Sequence, residues 1–485
     1  MVYEHGISIQ ENTTSVIPPI QTSSGVQVVI GTAPIHLALD PLAAVNKPIL
    51  ASTWDQAVKG LGYSENFKSY SLCESMYASF KLFQVAPIVF INVLDPSLHK
   101  TAVTDQAITL TKGSGIIDVE GVLLSSVVLK STDGVKTFVK NTDYTIAFNK
   151  NDRPVISVIP TGAIGVAAGL KATFDKLDPT KVTKEDIIGG YNAATGKYSG
   201  AELIRQVFPM FGLIPGLLLA PGWSQLPEVA LVLDAKGRKI NGNFNCMNVL
   251  DIDSSVVKKY EDAAAWKANN SYTSEKSVVL WPKIKIGNLI LSHSAVMAAS
   301  MASLDASNED VPFVSPSNKR LPISGTVLAD GTEVYLEQTQ ANSLNGSGIV
   351  TAINWNGWRS WGNNTAAYPN TTDPKDRFIA IRRVFDWWGN TFIQTYFERV
   401  DDPLNFRLIE SVVDSENLRA NGYQAKGQIA GASIEFSEEL NPQSDILAGK
   451  ITFIQKIAAF TPAEHIVNIL EFDPTKLTNS IFGGE

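Results

Sequence analysis

The run His465-Ile466-Val467-Asn468-Ile469-Leu470-Glu471-Phe472 constrains this chain more than any other stretch. It reads as a short strand, it is apolar on both faces, and nothing after it could cover it; such a strand needs a sheet to join. Two further strand-like runs precede it. Ala432–Phe436 alternates apolar and polar residues, the period of a half-buried strand. Ile451–Ile457 follows the turn signal Asn441-Pro442 and is rich in β-branched and aromatic residues. Thr461-Pro462-Ala463-Glu464 then breaks the chain before the last run. The other terminus is similar: Tyr3–Gln10 carries Ile7 and Ile9 on one face and is set off by Asn12–Ser15 and Pro18-Pro19. Two strand-like ends on extended tethers point to strand exchange between subunits through Ile7, Ile9, Ile466, Val467, Ile469, Leu470 and Phe472. Pairing of both ends within their own chain stays open.

At 485 residues the chain exceeds the size at which a single core stops growing, so two to four domains are expected. A hydrophobic content of 44% with 18% charged residues is that of a folded protein. The net charge of −8 argues against nucleic-acid binding as the main function. Cys73 and Cys246, the two cysteines, make neither a disulfide framework nor a zinc site and fit intracellular assembly. No basic segment precedes an apolar one at the start, so no signal peptide is expected. The most apolar run, Val207–Ala220, is broken by Pro209 and Pro215 and is too short to span a bilayer, so a soluble protein is expected.

Along the chain, Gly25–Gly31 reads as a buried strand, Ser52 as the cap of a helix, and Tyr70–Phe83 as helical from Leu72, Met76, Phe80 and Phe83. Ile88–Leu94 is the continuous apolar run of a strand buried on both faces, which completes the start of an α/β layer. From about Thr101 to Val182 the composition turns to short β runs, with Asp133-Gly134 as a hairpin signal; this reads as an inserted β domain. The α/β pattern returns at Thr183–Ile187, and a helix over Gly200–Phe208 follows. Ala230–Leu233, Met247–Ile252 and Val278–Trp281 read as buried strands and His293–Leu304 as a small-residue helix. An amphipathic helix starts at Arg377, with Gly389 as a candidate kink. A second, Pro403–Ala420, is expected to stop at Asn421-Gly422.

Signals for chemistry are weak. Gly190–Lys197 resembles a phosphate loop, but five residues separate its glycines and Tyr198 stands where Ser or Thr should be. The five histidines are scattered singly, neither cysteine has a nearby histidine, and no G-x-S-x-G elbow occurs. Asp251 and Asp253 at a strand end fit a solvated terminus better than a metal site. The Trp355, Trp358 and Trp361 cluster fits turn or interface packing better than a sugar platform. We therefore assign no catalytic, cofactor-binding or metal-ligating residue, and expect no cofactor.

A family resemblance emerges from the ordered sum of several stretches. Ile187-Ile188-Gly189-Gly190 through Thr195-Gly196-Lys197-Tyr198-Ser199-Gly200 resembles a turn of the contractile phage tail sheath proteins. Leu219-Ala220-Pro221-Gly222, Ser315–Arg320 and Asn356–Gly362 follow in that family's order. So do the Arg382-Arg383 helix, the second helix, the hairpin, and Pro-Ala-Glu before the last strand. The resemblance covers about residues 20–103 and 184 to the end. The longer insertion is its main departure from the compact sheaths of R-type pyocins.

The resemblance implies an α+β or α/β multidomain fold. Its parts would be an N-terminal arm (1–20), an α/β core (21–103 and 184–353), an inserted β-rich outer domain (104–183), a C-terminal α+β inner domain (354–464) and a C-terminal arm (465–485). It implies a non-enzymatic subunit of stacked hexameric rings around a tail tube, contracting to drive the tube through a target envelope. Its partners would be other copies of itself, the tail tube protein, and baseplate and tail terminator proteins, with neither nucleic acid nor direct membrane insertion involved. The particle would be a virion tail or tailocin, assembled in the host bacterial cytoplasm. With the C-terminal domain innermost, Arg382, Arg383, Arg399, Arg407 and Arg419 become candidates to face the tube. Against this stand an α/β enzyme acting on a phosphorylated or sugar substrate, and a cell-surface binding protein.

Overall fold

The computed structural model describes residues 20, 21 and 23–483. Its central layer is an eight-stranded sheet. Its strands are Gln27–Gly31 (β1), Pro48–Ala51 (β2), Ile88–Asn92 (β3), Leu217–Leu219 (β4), Met247–Asp251 (β5), Ser277–Leu280 (β6), Ile349–Asn354 (β7) and Trp358–Trp361 (β8). They lie in the order β8-β7-β6-β5-β4-β1-β3-β2. The six strands from β7 to β3 run parallel, and the edge strands β8 and β2 are antiparallel to their neighbours. β1, β3, β4, β5 and β6 are buried along their whole length, which explains their continuous apolar sequences: helices cover both faces of a parallel sheet. The chain builds β1 to β3 outward in one direction, then restarts beside β1 at β4 and builds the other way. The strand order thus reverses between β1 and β4.

Helix His293–Ala306 is almost wholly buried, and its alanines and serines let it lie close to the sheet. The Tyr70–Phe83 stretch is an α-helix over Leu72–Met76 that continues as a π-helical turn over Tyr77–Leu82.

Residues 100–177 hold a separate apolar core, with Tyr144, Ile156, Leu170 and Phe174 at its centre. It lies between a three-stranded and a four-stranded antiparallel sheet. The two long strands Lys100–Thr109 and Gly169–Leu177 pair with each other and lead back to the central layer. Asp133-Gly134 turns the chain between Val128–Lys130 and Thr137–Phe138, with Gly134 at φ +81.

Several local expectations are corrected. The helix cap is Thr53, whose hydroxyl accepts from the Gln56 amide, and not Ser52. Ala230–Leu233 is not a strand but part of helix Pro227–Lys236; a short apolar run has no diagnostic period, and Pro227 at the first turn decides it. The stretch from Gly200 is a 3-10 helix to Gln206 and an α-helix only over Val207–Phe211. Helix Ile379–Tyr396 passes through Gly389 unbroken. Helix Phe406–Ala425 runs through Asn421-Gly422 and ends before Gly427, whose φ is +70. His465–Phe472 forms no strand within the described chain, and a helix, Pro474–Phe482, follows it.

Candidate assembly interface

Strands Gly431–Phe436 and Phe453–Ala458 form a two-stranded antiparallel hairpin. Two strands alone are marginal in water, and this pair leans on helix Phe406–Ala425. The inner face carries Ala432, Ile434 and Phe436 opposite Ile457, Gln455 and Phe453. Ile457 and Ala432 pack against Trp388, Ala420 and Ile429, and the Phe436 and Phe453 rings lie 5.7 Å apart. Beneath them the buried Glu416 accepts from Gln455 Nε2 (2.8 Å) and Arg419 Nη2 (2.7 Å).

The two edges of the hairpin differ. Asn417 from the helix lays its amide against Ile434, accepting from the Ile434 N–H (3.0 Å) and donating to its carbonyl (3.3 Å). That blocks the outer edge of Gly431–Phe436 at its centre. The outer edge of Phe453–Ala458 has no strand beside it among the described residues. Asn441 fixes the loop between the strands: its Nδ2 donates to Ser437 and Thr452 carbonyls (both 2.8 Å), and its Oδ1 accepts from the Thr452 N–H.

The chain leaves this hairpin past Phe460 and returns to the body once. Glu464 pairs with Arg377, whose guanidinium also donates through Nε to Asn364 Oδ1 (3.0 Å) and lies over the Tyr368 and Phe378 rings. Beyond Glu464 the side chains are bare: Ile466 is 83% exposed, Val467 66%, Ile469 79%, Leu470 87% and Phe472 78%. Ile7 and Ile9 lie outside the described residues.

The five arginines do not form one outward face. Arg383 is buried and bound at two points by Asp305, so it cannot face a tube. Arg382 is bound to Asp376 and Asp386 (both 3.0 Å), and Arg419 is held by Glu416 with its guanidinium over Trp388. Arg399 is exposed with an Asp402 partner at 3.4 Å, and Arg407 is exposed on the first turn of its helix. Of the five, Arg399 and Arg407 are the exposed ones. Their charge is legible in the sequence, whereas the carboxylates that claim the other three lie elsewhere in the chain or on the same helix.

The place where an α/β sheet of this kind binds a ligand, outside the carboxyl ends of β4, β5 and β6, is filled by the chain itself. Buried Glu74 accepts from the Ser292 N–H at the start of helix His293–Ala306, and buried Asp251 accepts from the Ser294 N–H (2.8 Å) and from the Ser294 and Ser224 hydroxyls. Lys283 donates to Ser292 Oγ (3.2 Å). Two internal carboxylates thus occupy the anion-attracting end of the helix. Burial pushes the Glu74 carboxyl up to about 7, against the pull of Lys283, and pushes Asp251 up as well.

The other chemical candidates are also structural. Gly190–Asn192 and Lys197–Ser199 are a small hairpin with Tyr191 stacked on Tyr198, not a phosphate cradle. Asp253 caps the local turn at Ser255. Trp358 Nε1 donates to the Ser324 carbonyl (3.1 Å) and Trp361 Nε1 to Asn342 Oδ1 (2.9 Å), while Trp355 is exposed. Among the described residues no three His, Cys, Asp or Glu side chains converge as a metal site, and no helix is long and apolar enough to cross a membrane.

No family model matches the chain. It is 27% identical over 481 residues to the tail sheath protein of Burkholderia phage BcepMu, covering 96% of this chain and 95% of that one. The tail sheath protein of Escherichia phage P2 is 25% identical over 389 residues, 74% of this chain and 93% of its own. Over nearly its whole length the chain is similar to phage tail sheath proteins. These relatives are structural tail sheath proteins and not enzymes. Its fold is similar to that of a chain in the baseplate of the anti-feeding prophage, at TM-score 0.58 and 16% identity over 98% of this chain and all of that one. It is also similar to the contracted sheath of an extracellular contractile injection system, at TM-score 0.57 and 14% identity over 98% and 99% of the two chains.

Proposed function

We propose that this sheath protein polymerises as stacked hexameric rings around a tail tube and contracts to drive the tube through a target envelope. The tube, the baseplate and a tail terminator are its partners in a phage or tailocin tail, assembled in the host bacterial cytoplasm. The observation that carries the reading is the segment Ile466–Phe472, whose five large apolar side chains stand 66–87% exposed beside a hairpin with an open edge. We read residues 465–485 as an arm that adds to the Phe453–Ala458 edge of the next subunit, because Asn417 blocks the opposite edge. Residues 1–20, with Ile7 and Ile9, form the second arm.

Residues 21–103 and 184–353 are read as the sheath core, 104–183 as an outer β domain and 354–464 as the inner domain that grips the tube. Main-chain pairing holds neighbours together while the bodies rotate. The work of contraction comes from contacts better satisfied in the contracted lattice, summed over many copies.

Negative-stain microscopy tests this directly. Full-length protein forms rings or tubes, and protein truncated after Pro462 stays folded and monomeric. Tubes from the truncated protein would refute the arm.

A further inference from the structure

The last described helix is complete in itself, yet none of its residues is buried against the described residues. Asp473 caps it by accepting from the Thr475 and Lys476 N–H groups (3.0 and 3.1 Å), Pro474 occupies its first turn, and Gly483 closes it at φ +67. Nine residues are too few for a stable helix in water, where isolated helices shorter than roughly 12–15 residues are marginal. Every residue of Pro474–Phe482 is exposed, including Leu477 (51%) and Ile481 (67%), which lie one turn apart on one stripe. A segment with caps at both ends and no surface to lie on is built to fold against something else.

A matching surface lies at one end of the hairpin. The loop 437–452 exposes Leu440, Ile446 and Leu447, the last at 79%. It also carries Glu438 and Glu439, both exposed, whereas the helix carries Lys476 beside its apolar stripe. Length fixes where the helix lands. The strand Phe453–Ala458 has six residues, and the arm from Ile466 to Phe472 has seven. At about 3.3 Å per residue these spans match. An arm antiparallel to Phe453–Ala458 therefore exhausts the edge at Phe453, and Asp473 starts the helix where the loop begins. An arm running the other way brings the helix to Ala458, at the end opposite that loop.

We propose that the terminal helix seats its Leu477–Ile481 stripe on the Leu440–Ile446–Leu447 patch of a neighbouring copy of this chain, which sets the arm antiparallel to Phe453–Ala458. The inference rests on the strand-exchange reading above and adds its direction and its end point. In the stacked rings proposed above, each arm goes to one neighbour while the patch receives the arm of another. The contact is therefore head-to-tail and propagates through the assembly instead of closing a dimer.

The test joins the two surfaces covalently in assembled full-length protein. With Leu447→Cys and Leu477→Cys together, mild oxidation yields a ladder of multimers well beyond dimers on a non-reducing gel; the native Cys73 and Cys246 are buried and silent. The pair Ala430→Cys and Leu477→Cys, at the far end of the hairpin, yields none. Tubes in which the 430/477 pair gives the ladder, or neither pair does, overturn the proposal while leaving strand exchange intact. A second measurement does not depend on cysteines. Truncation after Phe472 lowers the temperature at which tubes dissociate, and an unchanged temperature overturns the proposal. Tubes from protein truncated after Pro462 would remove the strand exchange on which it rests.

Discussion

Asp305 accepts from both terminal nitrogens of Arg383, the first at 2.9 Å, and from the Ser24 hydroxyl at 3.3 Å. One buried carboxylate at the end of helix His293–Ala306 therefore joins helix Ile379–Tyr396 to the root of the N-terminal segment. Asp310 adds a bond from the Ser23 N–H at 3.0 Å. An acid at a helix C-terminus is unfavourable alone, and burial raises the Asp305 carboxyl further; Arg383 offsets both effects.

Removing one member of such a pair strands the other. Arg383→Ala is expected to destabilise the folded subunit by about 3–5 kcal/mol, read from the denaturant midpoint of unassembled protein. Arg383→Met combined with Asp305→Leu recovers a large part of that loss, because neither charge is then left buried alone. A loss below about 1 kcal/mol for Arg383→Ala would show that the pair is solvated.

Charge reversal separates the arginines that hold the fold from those free to meet a partner. Arg399→Glu and Arg407→Glu are expected to leave the unfolding midpoint within about 1 kcal/mol of the parent, as exposed charges do. They should weaken binding to tubes, with the effect of salt on binding reduced in each variant. Arg383→Glu should instead prevent folding. Undiminished tube binding by both exposed reversals would move the gripping face elsewhere.

The parallel sheet was legible because strands buried on both faces have continuous apolar sequences, as in Ile88–Asn92. The same rule misreads Ala230–Leu233, where an equally apolar run lies in a helix. Lys100–Thr109 escapes because its sequence is polar and alternates poorly, and its long pairing with Gly169–Leu177 makes it a strand. Gly169–Leu177 itself alternates Leu170, Ala172 and Phe174 with polar residues and is legible. Helix Phe406–Ala425 overrides the Asn421-Gly422 stop because Tyr423 packs edge-on against Trp387 and Trp388, 5.2 and 5.7 Å away. The apolar character of Ile466–Phe472 is plain in the sequence. The fork of Asn417 on Ile434 that blocks one hairpin edge is not, because it depends on how helix and strand meet.

Buried Glu74 gives stability a dependence on pH with a definite sign. Its folded carboxyl titrates at about 7, above the ordinary 4.5, because burial opposes its charge more than Lys283 and the Ser292 N–H favour it. Below about pH 4.5 both states are protonated and its contribution is fully present. As pH rises towards 7 the unfolded chain loses its proton first, and stability falls by at most about 1.4 kcal/mol per pH unit from this group. Glu74→Gln should flatten that slope between pH 4.5 and 7 in urea midpoints of unassembled protein. A slope unchanged by the substitution would assign it to Asp251 or another buried acid.

Removing the β layers of residues 100–177 should leave the rest intact, provided the cut respects the core. Leu177 packs in the main core, so a cut that removes it would open that core as well. Ala102 and Asp175 are directly paired across the long ladder, and so are Val103 and Phe174. Replacing 103–174 by Asn-Gly therefore joins two neighbouring strand positions by a two-residue hairpin turn, which this dipeptide favours. The stump keeps the Thr101 hydroxyl bond to Asp178 (2.6 Å) and the Asp178 N–H bond to the His99 carbonyl (2.9 Å). Its cost is the uncovering of His36, which packs 5.7 Å from Phe148. We expect a folded protein that still forms tubes, narrower by microscopy than those of the full chain. If the shortened protein unfolds cooperatively near the parent midpoint but no longer assembles, these layers are part of the lattice and not an outward decoration.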